Sequence, residues 1–201
     1  MVAALGTLAA ALLLGAGWGD SWESIREAAS AVHSVRADFV QEKRLPILTR
    51  PLRSEGSFSF RRPDAIRWEY RSPVQSVLLS DGRDVRRFLK QGDAWVPEAG
   101  AGMEAMRVVL DEIACWMGGR FEDSGTFSAA LQAGSPTTIE LLPRDEAIAQ
   151  FVTRIVVTLA ETPGAVAAIE IFEGETASTR IEFRNLELNA ELADALFTTV
   201  P

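Results

Sequence analysis

The run Ser57–Pro73, SFSFRRPDAIRWEYRSP, alternates apolar and polar residues on both sides of Pro63. In an extended chain every second side chain shares a face. Phe58, Phe60 and Arg62 therefore point together, with Ser57, Ser59 and Arg61 opposite. After the proline, Ile66, Trp68 and Tyr70 share one face and Arg67, Glu69 and Arg71 the other. The pattern predicts two adjacent antiparallel strands with one oily side, and it leaves Arg62 in line with two phenylalanines. An unpaired guanidinium is costly to bury, so Arg62 needs either water at a strand end or specific partners inside.

Similar alternation recurs through most of the chain. Strand signals cover residues 35–43, 52–61, 65–71, 75–80 and 83–89, with Asp81-Gly82 and Gln91-Gly92-Asp93 as turns before Ala94-Trp95-Val96. They resume at 125–131, 137–142, 151–160, 165–172 and 177–184. Two stretches follow helical spacing instead. Trp22, Ile25, Ala29 and Val32 predict a helix over 21–33, with Asp20 as cap and Glu23 three residues on. Met103, Met106, Leu110, Ile113 and Met117 mark an apolar helix face over 102–118, ended by Gly118-Gly119. Residues 190–197 read as a short closing helix or turn. A meander of ten to eleven strands must curl, close or be covered. The expected fold is α+β: an unclosed, strongly curled antiparallel β-barrel with helices lidding a hydrophobic cavity.

With 201 residues and 47% hydrophobic content the chain can bury a single core. Residues 1–19 are apolar and uncharged and read as a secretory signal with small residues Gly15-Ala16-Gly17 as a cleavage zone, leaving 20–201 as one domain. An uncleaved membrane anchor is the rival, its apolar core falling short of the roughly 20 residues a span needs. The net charge of −8 disfavours nucleic acid as a partner. Charge is unevenly placed: residues 36–90 hold 13 Lys/Arg against 7 Asp/Glu, a balance of +6, so the remainder carries −14. That segment is either mixed strand surface or a basic face toward anionic lipid or an acidic partner.

Reactive chemistry is absent from the pattern. His33 stands alone on the first helix and reads as a surface or capping residue. Cys115, the one cysteine, allows no intramolecular disulfide and sits between Ala114 and Trp116 as a small packed side chain. No metal spacing or phosphate loop occurs. An enzyme is not expected, and neither a cofactor nor a metal is implied. The methionines of the second helix are either ordinary core or a surface able to adapt to several apolar shapes.

Taken in order, Phe39-x-Gln41, Gly56-x-Phe58-x-Phe60-x-Arg62-Pro63, Ile66-x-Trp68, Ser72-Pro73 and Leu78-Leu-Ser-Asp-Gly82 resemble the periplasmic lipoprotein carriers of the LolA family. The similarity spans most of 22–90; beyond residue 100 only the strand pattern and the ending Ala195-Leu-Phe197…Pro201 are similar. The resemblance implies an unclosed barrel lidded by helices. It also implies a carrier, expected as a monomer, that accepts acylated lipoproteins from an inner-membrane ABC transporter and hands them to an outer-membrane receptor. Arg62 would reach the lid and govern its opening, and Ile66 and Trp68 would line the cavity. The ligand-binding set expected is Arg62, Phe58, Phe60, Ile66, Trp68, Met103, Met106, Leu110, Ile113 and Met117. Arg86-Arg87 before Phe88, and the apolar, proline-bearing 44–52 segment, depart from the family pattern and leave another lipid or lipid-linked cargo open. Two rival readings are an envelope-stress sensor of the same fold, which usually carries a second domain, and a small outer-membrane barrel. Arg180, Glu182 and Arg184 on one strand face suit lipid poorly.

Overall fold

A computed structural model of the chain describes residues 17–98, 102–174 and 176–200, with side chains described outside 102–108. The expected secretory segment lies outside the described residues except for its end at 17–19. Eleven strands form one sheet: β1 (Ser34–Arg44), β2 (Leu52–Arg61), β3 (Ala65–Ser72), β4 (Ser76–Asp81), β5 (Val85–Gln91), β6 (Ala94–Glu98), β7 (Phe127–Gln132), β8 (Thr138–Pro143), β9 (Arg154–Leu159), β10 (Val166–Glu173) and β11 (Ala177–Leu188). Their order is β6-β5-β4-β3-β2-β1-β11-β10-β9-β8-β7. First and last strands pair at the centre, two antiparallel meanders fan out from them, and the outermost strands β6 and β7 do not join. Helix α2 (Gly102–Met117) is the link between those two edges, so the chain itself runs across the mouth of the curled sheet.

Register builds the inner face. Phe58 lies opposite Ala37 on one side and Trp68 on the other; Phe60 lies opposite Val35 and Ile66. All six are buried, as are Ile139, Leu141, Ile155 and Val157 of the other meander. Gly56 is required here by close approach: a Cβ would stand 2.6 Å from the Phe39 ring and 1.9 Å from the Glu69 carbonyl oxygen. Phe39 thereby seats against the backbone and meets Trp68 and Tyr70 at 5.2 and 5.1 Å between ring centroids.

Helix α1 (Trp22–Ser30) is shorter than its apolar spacing suggests. Its cap is Ser21 rather than Asp20: Ser21 Oγ accepts from the Ser24 amide, and Ser24 Oγ accepts from the Ser21 amide. Ile25 and Ala29 face the core. A 3-10 turn at Phe121–Asp123 and a short helix α3 (Glu146–Ala149) carry no apolar periodicity in the sequence, being too brief to show one.

The outer face is not simply solvated. Val77 and Leu79 alternate outward on β4 yet are fully buried, because the C-terminal segment with helix α4 (Ala195–Thr198) packs over them, with Phe197 at its centre. Arginines hold this segment by its backbone. Arg61 donates to the Leu192 carbonyl, Arg67 to those of Leu196 and Thr199, and Arg86 to that of Thr198. The Arg61 guanidinium also lies 4.9 Å from the Phe197 ring centroid.

Candidate functional site

The inner face and the elements above it form the candidate site. Arg62 sits just past the end of β2, half-buried, and its side chain turns toward α1. Its Nε donates to the Val32 carbonyl at 2.6 Å and its Nη2 to the Ala29 carbonyl at 2.7 Å. Its backbone N–H donates to the His33 carbonyl at 2.9 Å. The last carbonyls of a helix have no intrahelical donor, and α1 has no basic residue in its last turn. Arg62 supplies both the donors and the positive charge that a helix C-terminus favours. Asn189, after β11, completes the arrangement: its Nδ2 donates to the Ala31 carbonyl at 3.0 Å, and its Oδ1 accepts from the His33 amide at 2.7 Å. Arg62 is thus the partnered case of the two that alternation allowed.

Two glycines let α1 settle onto the structure. At Gly164, φ is +81°, and a Cβ would lie 2.6 Å from Val32 Cγ2 and 2.8 Å from the Ala28 carbonyl oxygen. At Gly119, φ is +71°, and a Cβ would lie 2.9 Å from that of Ala29. Both conformations are ones that only glycine adopts freely. An ion pair of 2.9 Å between Arg26 and Glu122 adds an outer link.

Of the expected lining residues, Phe58, Phe60, Ile66 and Trp68 lie together on the sheet's inner face, and Leu110 and Ile113 face it from α2. Met117 is only partly buried and packs at the edge of this cluster. Met103 and Met106 fall on α2 outside the described side chains. Trp116, which the methionine spacing passes over, is buried and stacks at 6.4 Å on Phe121. Glu112 is also buried: Oε1 accepts from Ser124 Oγ at 2.9 Å, while Oε2 has no partner among the described residues. The methionine spacing marks a narrow stripe on α2; the structure buries a broader arc that takes in Glu112 and Trp116.

The interior is oily among the described residues. Small crevices border it: one of about 30 Å³ at Val85, Leu110 and Ala114, and others of about 10 Å³ each, one bordered by Phe58, Met117 and Phe183, another by Ile25, Trp116 and Phe121. The latter volume is at the lower limit for one water. A much larger groove, about 680 Å³, lies on the opposite face beneath the C-terminal segment. Its cations are already matched: Arg36 with Glu187, Arg67 with Glu69 and Arg71 with Asp38. The bonds from Asn185 and Arg71 to Asp38 hold its carboxyl below the usual carboxylate range.

Cys115 is half-buried, and its thiol donates to the Arg120 carbonyl at 2.9 Å. Burial pushes its pKa up. His33 is exposed. No group of three or more His, Cys, Asp or Glu able to hold a metal occurs among the described residues, and no described helix is long and apolar enough to cross a membrane.

The sequence profile of the family described as "Outer membrane lipoprotein carrier protein LolA" matches residues 30–200, taking in every strand and helix α2. This chain belongs to the LolA family. Among LolA-family relatives, an outer-membrane lipoprotein carrier protein of Methylibium petroleiphilum is 26% identical over 202 residues, covering 94% of this chain and 90% of its own. One of Leptothrix cholodnii is 28% identical over 196 residues, covering 92% and 76%. An uncharacterized conserved protein of Thermus thermophilus shares the fold alone, with a TM-score of 0.52 at 10% identity over 89% of this chain and 93% of that one.

Proposed function

We propose that this LolA-family protein is a periplasmic, non-enzymatic carrier. It shields the acyl chains of lipoproteins between the curled sheet and its helices, and moves them from an inner-membrane ABC transporter to an outer-membrane receptor. The observation that carries the reading is Arg62, bonded to the carbonyls of Ala29 and Val32 on the element that covers the oily face.

Magnitudes explain why such a latch is useful. A two- or three-chain anchor holds roughly 30–45 methylenes, so exposing it to water costs about 25–35 kcal/mol at ~0.8 kcal/mol each. Such cargo does not cross water unaided. Two charge-assisted bonds of about 1.5–3 kcal/mol each give the closed lid about 3–6 kcal/mol. That is enough to keep the lid shut without cargo, and a fraction of what burying acyl chains returns. Cargo entry displaces α1 and the inner side chains and breaks the bonds from Arg62. Their re-formation then favours release to a receptor. Phe58, Phe60, Ile66 and Trp68 form the floor of the binding space, and Met103, Met106, Leu110, Ile113 and Met117 the adaptable roof.

The test is a transfer assay with purified Arg62→Leu. The variant is expected to accept a lipoprotein and retain it, with delivery to receptor-bearing vesicles reduced at least tenfold. Delivery at the wild-type rate would remove Arg62 from this role.

A further inference from the structure

We propose that the indole N–H groups of Trp68 and Trp116 receive carbonyl oxygens of the cargo, so that the interior prefers ester- or amide-linked acyl groups to bare hydrocarbon chains. The inference rests on the carrier reading above and specifies what that space recognises.

Both tryptophans are more than nine-tenths buried, at 8% and 7% exposure. Neither Nε1 has a hydrogen-bond partner among the described residues. Buried tryptophans usually place their N–H on an acceptor, and a buried donor left unmade carries its full desolvation cost. Phenylalanine would fill much of the same space without that cost. The surroundings are otherwise apolar: Trp68 packs on Phe39, Phe58 and Phe183, and Trp116 on Phe121 and Phe127. The Tyr70 hydroxyl neighbours Trp68, but Trp68 Nε1 makes no hydrogen bond to it; the hydroxyl itself donates to Gln41 at 2.8 Å. Glu112, one helical turn before Trp116, has an unpartnered oxygen of its own, yet the two are not bonded to each other.

The two donors stand on facing elements of the same core cluster. Trp68 rises from the sheet and Trp116 hangs from α2. One crevice is bordered by Phe58 and Phe183, which pack on Trp68, and by Met117; a second, bordered by Trp116, shares Met117 with it. An apolar ligand parting α2 from the sheet there would pass both indoles. An acyl chain brings a carbonyl oxygen at its linkage end, which can accept from a neutral N–H without any charge being buried. An alkyl ether of equal length offers a far weaker acceptor, and a saturated hydrocarbon none.

The experiment uses the full processed chain with ¹⁵N-labelled tryptophan, the two indole resonances being assigned with Trp68→Phe and Trp116→Phe. It is titrated with a synthetic lipopeptide bearing two ester-linked palmitoyl chains, and with a matched lipopeptide bearing two ether-linked hexadecyl chains. The expected result is that the ester ligand binds roughly tenfold more tightly and moves both indole N–H signals downfield. The double variant Trp68→Phe/Trp116→Phe is expected to bind both ligands equally. Equal binding by the wild-type protein with both indole signals unmoved would overturn the proposal and leave the carrier reading standing. Failure of the protein to bind either ligand would overturn both.

Discussion

Arg62 fastens α1 through a planar fork whose two N–H groups reach separate carbonyls, those of Val32 and Ala29. Arg62→Lys keeps the charge but loses that fork. Amide hydrogen exchange in α1 is expected to quicken in Arg62→Lys and more so in Arg62→Leu, and unchanged protection in both would show that the helix is held by other contacts. For Cys115, burial and the bond to the Arg120 carbonyl keep the thiol protonated. Alkylation at pH 8 should therefore run at least severalfold slower than for an unstructured cysteine peptide, and become comparable on denaturation. Residues differ in how far the sequence exposes such roles. Strand parity puts Arg62 in line with Phe58 and Phe60 and marks it as solvated or partnered, but its acceptors lie 30 and 33 residues away. Asn189 acts through a loop conformation, φ +60°, that leaves no periodic trace. Trp116 lies beside the helix stripe that the methionines trace, so spacing alone passes it by.

At the scale of elements, the sequence is most legible where alternation is strict. The register of β2 against β1 and β3 follows directly from Phe58, Phe60, Ile66 and Trp68, because a slip of one residue would turn all four outward. It is least legible where strand faces are covered late in the chain. Val77 and Leu79 look like one face of a fully buried strand, and nothing local reveals that residues 192–200 return to cover them. Phe197→Ala empties that contact and is expected to cost about 3–5 kcal/mol, measurable as a lowered denaturant midpoint with an unchanged m-value. A loss below about 1 kcal/mol would mean the C-terminal segment is a loose cover. On the lid side, Gly164→Ala places a methyl against Val32 and the Ala28 carbonyl in a left-handed conformation. The expected cost is about 1–3 kcal/mol, felt as displacement of α1 and raised exchange of its amides. Ser124 is a polar counterpart beneath α2: its Oγ accepts from the amides of Thr126 and Phe127 and donates to Glu112. Ser124→Ala strands several buried groups and should destabilise by about 1–3 kcal/mol, seen as a fall in melting temperature.

The charge segregation makes sense only for the whole molecule. The central pairing of β1 with β11 sets Arg36 against Glu187, and Lys43 reaches across β11 to Glu173 at the end of β10. Arg61 likewise meets Asp194, and Arg67 and Arg86 bind the C-terminal backbone. Much of the basic excess is used within the molecule, which weakens the alternative of a basic face toward anionic lipid. What packing leaves unexplained is an oily interior enclosed by a sheet whose edges stay apart and whose covering helix α1 has its C-terminal carbonyls held by Arg62. A carrier accounts for that arrangement. The direct measurement is detergent-free release: membrane vesicles holding a newly acylated, radiolabelled lipoprotein and an energised ABC transporter are incubated with residues 20–201 of the protein, then sedimented. The account predicts lipoprotein in the supernatant, co-eluting with this protein as a stoichiometric complex on gel filtration. Lipoprotein that stays wholly with the vesicles, whether or not the protein is added, would contradict it.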